Sequence, residues 1–349
     1  MSDLLYGEVE EELRASVRAL LRDRTDLTRV EGPDPIDVKL WRALAADLGC
    51  AGLPVPESAG GAGASWRETA VVMEELGRAV APVPFLGSAV LATAALPAGD
   101  PLLADLAAGT RTATLAVPLS ADRVRFSVSA HAEALDGTVT TVADALTADV
   151  LLVPTADGLF AVDAADAVRT PVVSLDLTRP VADLEFRGAP GRRVAPDAAP
   201  PVTRALLAGA ALLASEQLGI AEWCLATTVE YARTRRQFAR QIGSYQAVKH
   251  RLADLWVSVT QARAVARYAA DCLANDDPDL PVAASLAQAF CSPVAVKAAE
   301  ECVQLHGGIG FTWEHPAHWR LKRARANATA LGSATRHRAH LAELVNLPA

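Results

Sequence analysis

The chain has little cysteine and no paired cysteine motif. Its five cysteines are an odd number, are widely spaced and form no Cys-x-x-Cys; they are Cys50, Cys224, Cys272, Cys291 and Cys302. This spacing argues against a zinc-binding knot and against a disulfide framework. Three of them fall inside helical patterns, where a buried thiol is the simplest interpretation. The set fits a reducing cytoplasm.

Positive charge is also scarce. The 33 lysines and arginines are outnumbered by 41 aspartates and glutamates, which gives a net charge of −8. Nucleic acids and anionic membranes are bound through basic patches, so this balance argues against both as partners. The acidic residues are spread along the chain, so they do not form an acidic tail.

Two further absences concern targeting and membranes. Residues 1–12 are acidic and lack the basic-then-apolar order of a targeting signal. The longest apolar stretches are interrupted by charge, glycine or proline before they reach the roughly 18–20 residues that span a bilayer. The sequence therefore predicts a cytoplasmic protein that does not cross a membrane.

The remaining patterns divide a chain that is long enough for two or three domains. Residues 1–110 repeat apolar side chains at helical spacing and predict a helical N-terminal domain. Residues 111–200 contain short strand-like runs, with hairpin turns expected at Asp136-Gly137 and Asp157-Gly158, and predict a small β domain. The proline-rich residues 190–201 are expected to be a connector.

Residues 201–349 return to helical periodicity over longer segments. The predicted helices span residues 202–234, 246–274, 282–306 and 317–345. Four long helices joined by short loops predict an antiparallel bundle. The fold class is therefore α+β, with a helical N-terminal domain, a small middle β domain and a C-terminal four-helix bundle.

An arginine-rich motif follows the first of these long helices and runs from Tyr231 to Asp254. Within it, Arg235 stands where the helix is expected to give way to a loop. A guanidinium at that place can bind a diphosphate through two parallel hydrogen bonds, which lysine could not imitate well. The alternative is an ordinary solvated helix end.

A second motif runs from Gln304 to Pro316 and contains Gly307 and Gly308. Glycines permit close approach of a ligand to the backbone and leave its N–H donors accessible. The alternative is an ordinary helix C-cap followed by a turn, of which Glu314 is one residue. We expect His306, His315 and His318 to be ordinary turn histidines whose hydrogen bonds are satisfied. Their spacing is not that of metal ligands.

At this spacing, and within this order of domains, the two motifs resemble the acyl-CoA dehydrogenase family over nearly the whole chain. The resemblance implies FAD as cofactor, bound across a subunit interface, with Arg235 at its diphosphate and Phe238 beside its adenosine. It also implies a dimer-contact helix beginning near Gln246. The cofactor-binding residues that it implies are Arg235, Phe238, Gln246, Gln304, Gly307 and Gly308.

The reaction of this family needs a carboxylate base, because a proton leaves the carbon alpha to a thioester while flavin accepts a hydride from the beta carbon. The resemblance implies that the base lies either after the C-terminal arginine segment or on the first long bundle helix. This chain has Gly332 at the first of these positions and Gly209 at the second. Glu216 is a possible relocated base, although it lies about 10 Å along the helix from Gly209, and a packing or salt-bridging role is simpler. Residues 116–122 keep the family's proline but lack its flavin-ring contacts.

Three hypotheses follow. The first is a base-lacking subunit of a heteromeric (α2β2) acyl-CoA dehydrogenase, which works with a catalytic subunit in alpha,beta-desaturation of an acyl-CoA and passes electrons to an electron-transfer flavoprotein. The second is a self-sufficient homomeric enzyme, a dimer of dimers, with Glu216 as base. The third is a non-redox binding or scaffold protein that reuses the fold.

Overall fold

The computed structural model describes residues 4–32 and 35–347, so the outer limits predicted for the domains, at residues 1 and 349, lie outside the described residues. Short helices come first, strands follow, and longer helices end the chain. The α+β architecture is therefore confirmed.

The N-terminal helices pack around one apolar core. They are α1 (Glu8–Arg24), α2 (Val38–Arg42), α3 (Trp66–Ala79), α4 (Thr93–Ala95) and α5 (Leu102–Ala107), with a π-helical segment at Leu86–Ala92. A capping box starts α3, because Glu68 accepts a hydrogen bond from the Ser65 backbone N–H at 2.8 Å and the Ser65 hydroxyl accepts one from Arg67. The helix ends at Val80, whose φ is +54°.

The middle part of the chain is a seven-stranded sheet. Its strands are β1 (Ala113–Leu115), β2 (Val128–His131), β3 (Ala134–Ala143), β4 (Val150–Thr155), β5 (Gly158–Asp163), β6 (Ala167–Val172) and β7 (Val181–Ala195). Strands β4, β2, β3, β7 and β5 pair in that order, and β5 pairs again with β4, so the sheet closes on itself. A second apolar core lies within this sheet.

Two expectations about the β domain are wrong and one is correct to within a residue. Asp136-Gly137 is not a turn but lies within β3, and the β2–β3 turn falls at Ala132, whose φ is +57°. Residues 190–201 are not a connector, because β7 extends to Ala195 and the next helix begins four residues later. The predicted turn at Asp157-Gly158 joins β4 to β5.

The C-terminal part is a helical bundle. Its helices are α6 (Ala199–Thr234), α7 (Gln246–Ala274), α8 (Leu280–His306), α9 (Ala317–Asn327) and α10 (Ala334–Leu344), and a small hairpin of β8 (Arg236–Gln237) and β9 (Arg240–Gln241) joins α6 to α7. The first three match the prediction. The predicted fourth helix is wrong as one element, because Leu331 and Gly332 adopt φ of +52° and +98° and break it into α9 and α10.

Two of these helices are longer and more apolar than the sequence interpretation allowed. By length and composition alone, α6 and the segment Leu280–Phe311 could cross a membrane. In the structure 89% and 67% of their apolar windows are buried against other parts of the chain. Core helices meet the same criterion, and these two form the centre of the bundle.

Helices α3 and α6 cross in backbone contact. A Cβ at Gly219 would lie 1.8 Å from the carbonyl oxygen of Glu74, and a Cβ at Gly77 would lie 2.0 Å from the carbonyl oxygen of Glu216. Only glycine allows this approach at either position. The crossing joins the N-terminal helices to the bundle.

The side chain of Glu216 joins the β domain to the bundle. It is fully buried and lies 2.5 Å from a nitrogen of Arg179, in the turn before β7, and 3.0 Å from one of Arg323 in α9. Asn327 donates a third hydrogen bond at 2.8 Å. Arg323 also pairs with Asp176 at 2.5 Å. Each charge in this cluster is therefore matched.

We expect Glu216→Gln to destabilise the protein by about 3–5 kcal/mol at pH 7, because it leaves the buried Arg179 without its anion and removes one of the two carboxylates that pair with Arg323. Burial alone would raise the pKa of Glu216, but the charges of Arg179 and Arg323 outweigh burial and lower it to about 2. A lowered folded-state pKa stabilises the fold above the unfolded-state pKa and loses that contribution as the pH falls toward 2. The difference from wild type should therefore shrink as the pH falls below about 4.5.

Urea unfolding of both proteins from pH 7 downward measures this difference. Glu185→Gln is the control, since Glu185 is half-buried on β7 and, among the described residues, forms an ion pair only with the exposed Arg187. It should unfold like wild type. Equal stability of Glu216→Gln and wild type at pH 7 would contradict the assigned role.

Candidate functional site

One cavity at the end of the bundle brings together five of the six predicted cofactor residues. It has a volume of about 460 Å³. The predicted residues that line it are Arg235, Phe238, Gln304, Gly307 and Gly308. The sixth, Gln246, is not among the lining residues, although it begins α7 directly after Tyr245, which does line the cavity. We call this cavity the half-site.

The end of α6 and the following hairpin form one wall of the half-site. Arg235 is the first residue after α6; its N–H donates to the Tyr231 carbonyl at 2.8 Å, and its carbonyl accepts from Ile242 at 2.9 Å. Phe238 and Ala239 form the two-residue turn between β8 and β9 with φ of +50° and +62°. The common two-residue hairpin turns use positive φ. The Phe238 ring lies at the tip of this turn, with 88% of its surface exposed.

The end of α8 forms the opposite wall. The helix stops at His306 because Gly307 adopts φ +63° and ψ −137°, a conformation that is essentially limited to glycine. A Cβ at Gly307 or at Gly308 would meet no atom within 4 Å. The backbone there is open to a ligand.

The charge at the half-site is unbalanced. Within residues 4–32 and 35–347, Arg235 has no carboxylate within 4.0 Å. The guanidinium of Arg240 lies 3.8 Å from the centre of the Tyr245 ring. A cationic wall opposite the open backbone of the glycine turn suits a diphosphate.

The three turn histidines pack against aromatic neighbours. His306 stacks on Tyr231 at 4.3 Å and on His315 at 4.2 Å, and its Nδ1 lies 2.6 Å from the Cys302 carbonyl. His318 lies 4.5 Å from the Trp319 ring. In the described part of the chain, no group of three or more potential ligands could hold a metal ion.

Gly209, one of the two positions assigned to the base, is surrounded by apolar side chains. A Cβ at Gly209 would lie 2.6 Å from Leu91 and 2.8 Å from Leu331. Both family positions serve one proton transfer, so they should meet in space. Leu331, one residue before Gly332, is the residue that reaches Gly209. The positive φ at Leu331 has no sequence signal.

The second position is also closed. A Cβ at Gly332 would lie 2.9 Å from atoms of both Asp122 and His337. The β-domain segment 116–122 meets the α9–α10 loop directly, since the Leu331 N–H donates to the Leu119 carbonyl at 2.7 Å and Asp122 pairs with Arg336. The β domain and the bundle are therefore in direct contact at residues 116–122.

Glu216 does not have the environment of a general base. Its carboxylate is buried and bound by three side chains, and a carboxyl group with a pKa of about 2 accepts protons poorly near neutral pH. The salt-bridging interpretation accounts for its contacts.

Comparison with known proteins agrees with the fold and the motifs. Residues 7–101 match the acyl-CoA dehydrogenase N-terminal domain, and residues 201–345 match the acyl-CoA dehydrogenase C-terminal domain. The acyl-CoA dehydrogenase IpdE2 of Mycobacterium tuberculosis is 39% identical over 300 residues, which are 85% of this chain and 83% of that protein.

Two solved structures are similar over almost the whole chain. One is the ChsE4-ChsE5 complex from Mycobacterium tuberculosis, at 30% identity and a TM-score of 0.89, with all of both chains covered. The other is a variant of the Tcur3481-Tcur3483 steroid acyl-CoA dehydrogenase, at 28% identity and a TM-score of 0.86, covering 97% of this chain and 98% of that one. The chain therefore belongs to the acyl-CoA dehydrogenase family of FAD-dependent oxidoreductases.

Proposed function

We propose that this chain is the base-lacking subunit of a heteromeric acyl-CoA dehydrogenase. It contributes the half-site to the adenosine and diphosphate end of an FAD whose reactive ring lies in a catalytic partner chain. One observation carries the proposal: the half-site is open and cationic, whereas both base positions are filled by side chains.

Each half-site residue has a distinct task in this proposal. Arg235 binds the diphosphate through two hydrogen bonds, and the open backbone at Gly307 and Gly308 lets the cofactor approach the turn closely. Phe238 covers the adenosine, which removes an exposed aromatic ring from water. When bound, FAD supplies the hydride acceptor. The proton acceptor comes from the partner chain.

The length of α6 supports a ring site in another chain. Gly209 and Arg235 are 26 residues apart on or next to this helix, which separates them by about 39 Å at 1.5 Å per residue. The diphosphate and the flavin ring of one FAD molecule are much closer together than that. An FAD held at Arg235 thus cannot react at Gly209 of the same chain.

Two similar structures support a partnership between unlike chains, because each is described as a pair of differently named proteins. By the same likeness we propose an acyl-CoA with a steroid-derived acyl group as the substrate class. A cytoplasmic location and an electron-transfer flavoprotein as acceptor are parts of the same proposal.

The two other hypotheses are less well supported. A homomeric enzyme with Glu216 as base is disfavoured by the ion pairs that bury that carboxylate. A scaffold without flavin gives no role to an unpaired Arg235 opposite an open glycine turn.

The flavin content of the purified chain tests the proposal. We expect no FAD on the chain produced alone, and one FAD per pair of unlike chains after co-production with a full-length dehydrogenase from the same genomic neighbourhood. Absorbance at the flavin maximum against protein concentration gives both ratios. One FAD per chain on the isolated protein would instead support the homomeric enzyme, and no FAD in any assembly would support the scaffold.

We expect Arg235→Gln to weaken FAD binding by the complex roughly 10- to 100-fold, because a charge-assisted hydrogen bond is worth about 1.5–3 kcal/mol. Titration of the flavin-free complex with FAD, followed by flavin fluorescence, measures this loss. Arg233→Gln is the matched control: it removes the same charge from an exposed residue two positions earlier that does not line the cavity. Equal affinity of the two variants would remove Arg235 from the site.

A further inference from the structure

A second cavity, of about 650 Å³, lies between α1 and α3 of the N-terminal helices and α6 and α9 of the bundle. It shares no lining residue with the half-site. Four arginines contribute to its walls: Arg18, Arg22, Arg78 and Arg320. We call it the interdomain cavity.

Arg320 is the least exposed of these arginines, with 6% of its surface accessible. Its guanidinium lies 3.9 Å from the centre of the Trp223 ring and donates to the carbonyls of Arg78 at 2.9 Å and Pro316 at 3.3 Å. Its Nε is buried without an acceptor among the described residues. No carboxylate in that part of the chain pairs with it. A buried guanidinium that lacks an anion is costly.

Arg78 is also incompletely neutralised. Its nearest carboxylate is Glu222, at 3.8 Å, and that carboxylate is already held by Arg263 at 2.7 Å. Burial and the neighbouring Arg18 lower the pKa of Arg78, and burial lowers that of Arg320 to about 10. Both shifts have the direction expected where cations lack a counter-charge.

The carboxylates around the cavity supply that counter-charge only in part. Glu75 is bound by Arg18 at 2.7 Å and by Arg14 at 3.0 Å. Glu230 is exposed at the rim, and Arg22 pairs with its neighbour Asp23 on the surface. The remaining walls are largely apolar, with Leu21, Leu27, Ala79 and Ala226 among them.

We propose that the interdomain cavity binds an organic anion, whose carboxylate or phosphate group meets Arg78 and Arg320 and whose apolar body lies against Leu21, Leu27 and Ala226. Guanidinium groups match the planar geometry of these oxyanions, and a cavity with few polar groups among apolar walls is typical of small-molecule sites. This proposal does not rest on the proposed catalytic partnership.

Calorimetric titration of the full chain with octanoate, octyl phosphate and 1-octanol tests the proposal. The three probes share one apolar body and differ in the head group. Binding of either anion, weakened by added salt and at least about tenfold stronger than binding of 1-octanol, is the expected result. The stronger of the two anions identifies the head group. Failure of both anions to bind, or equal binding of the alcohol, would overturn the proposal.

Variants locate the binding. Arg78→Gln and Arg320→Gln should each weaken the anion roughly tenfold or more by removing a charge-assisted hydrogen bond. Arg24→Gln is the matched control, since Arg24 is exposed on α1 and does not line the cavity.

Because Arg320→Gln also removes two hydrogen bonds to carbonyls and could unfold the chain, Ala226→Phe provides a second test. Ala226 is exposed at the cavity wall, and a ring there fills the space with all charges intact. Unchanged anion affinity in both Arg78→Gln and Ala226→Phe would place the binding elsewhere.

Discussion

One residue of the central helix holds the three parts of this protein together. The side chain of Glu216 is paired with Arg179 of the β domain and with Arg323 of α9, while its backbone carbonyl lies where a Cβ on Gly77 of α3 would fall. A buried carboxylate of this kind is tolerated only because each of its oxygens is matched by a cation or an amide. The position of the β domain relative to the bundle depends on that match, and with it the contact that closes the flavin-ring side of the chain.

The same helix separates Gly209, one of the positions assigned to the base, from the half-site. Near one end of α6 Gly209 is enclosed by leucines, and at the other end Arg235 faces an open cavity. Rigid helices fix such separations within about 1.5 Å per residue. In the proposed function, such a chain stabilises a cofactor whose reaction takes place in the partner chain.

Sequence patterns predicted the parts of this structure that depend on local periodicity. The limits of α7 and the glycine turn after α8 follow from helical spacing and from the conformational freedom of Gly307. The turn predicted at Asp136-Gly137 is wrong because the pairing of β3 with β7 overrides the local turn preference of these two residues. The break after α9 depends on a positive φ at Leu331, which a β-domain carbonyl stabilises from more than 200 residues away.

The two cavities differ in the same way, since one depends on local sequence and the other on residues far apart in the chain. The half-site comes from two contiguous motifs and could be predicted, whereas the interdomain cavity draws its arginines from α1, α3 and α9 and could not. The partners of Glu216 were hidden for the same reason, since Arg179 and Arg323 are 37 and 107 residues away in the sequence. Charge pairs between residues far apart in the sequence leave no periodic pattern from which they could be predicted.

The enclosed glycines also limit how such a chain can change over generations. A carboxylate at position 209 would need the space that Leu91 and Leu331 fill, and one at position 332 would meet Asp122 and His337 from a strained backbone. A single substitution in either place therefore sets a carboxylate against packed side chains. Several changes, each destabilising alone, would have to coincide. Packing around both glycines thus opposes the appearance of a carboxylate at either position.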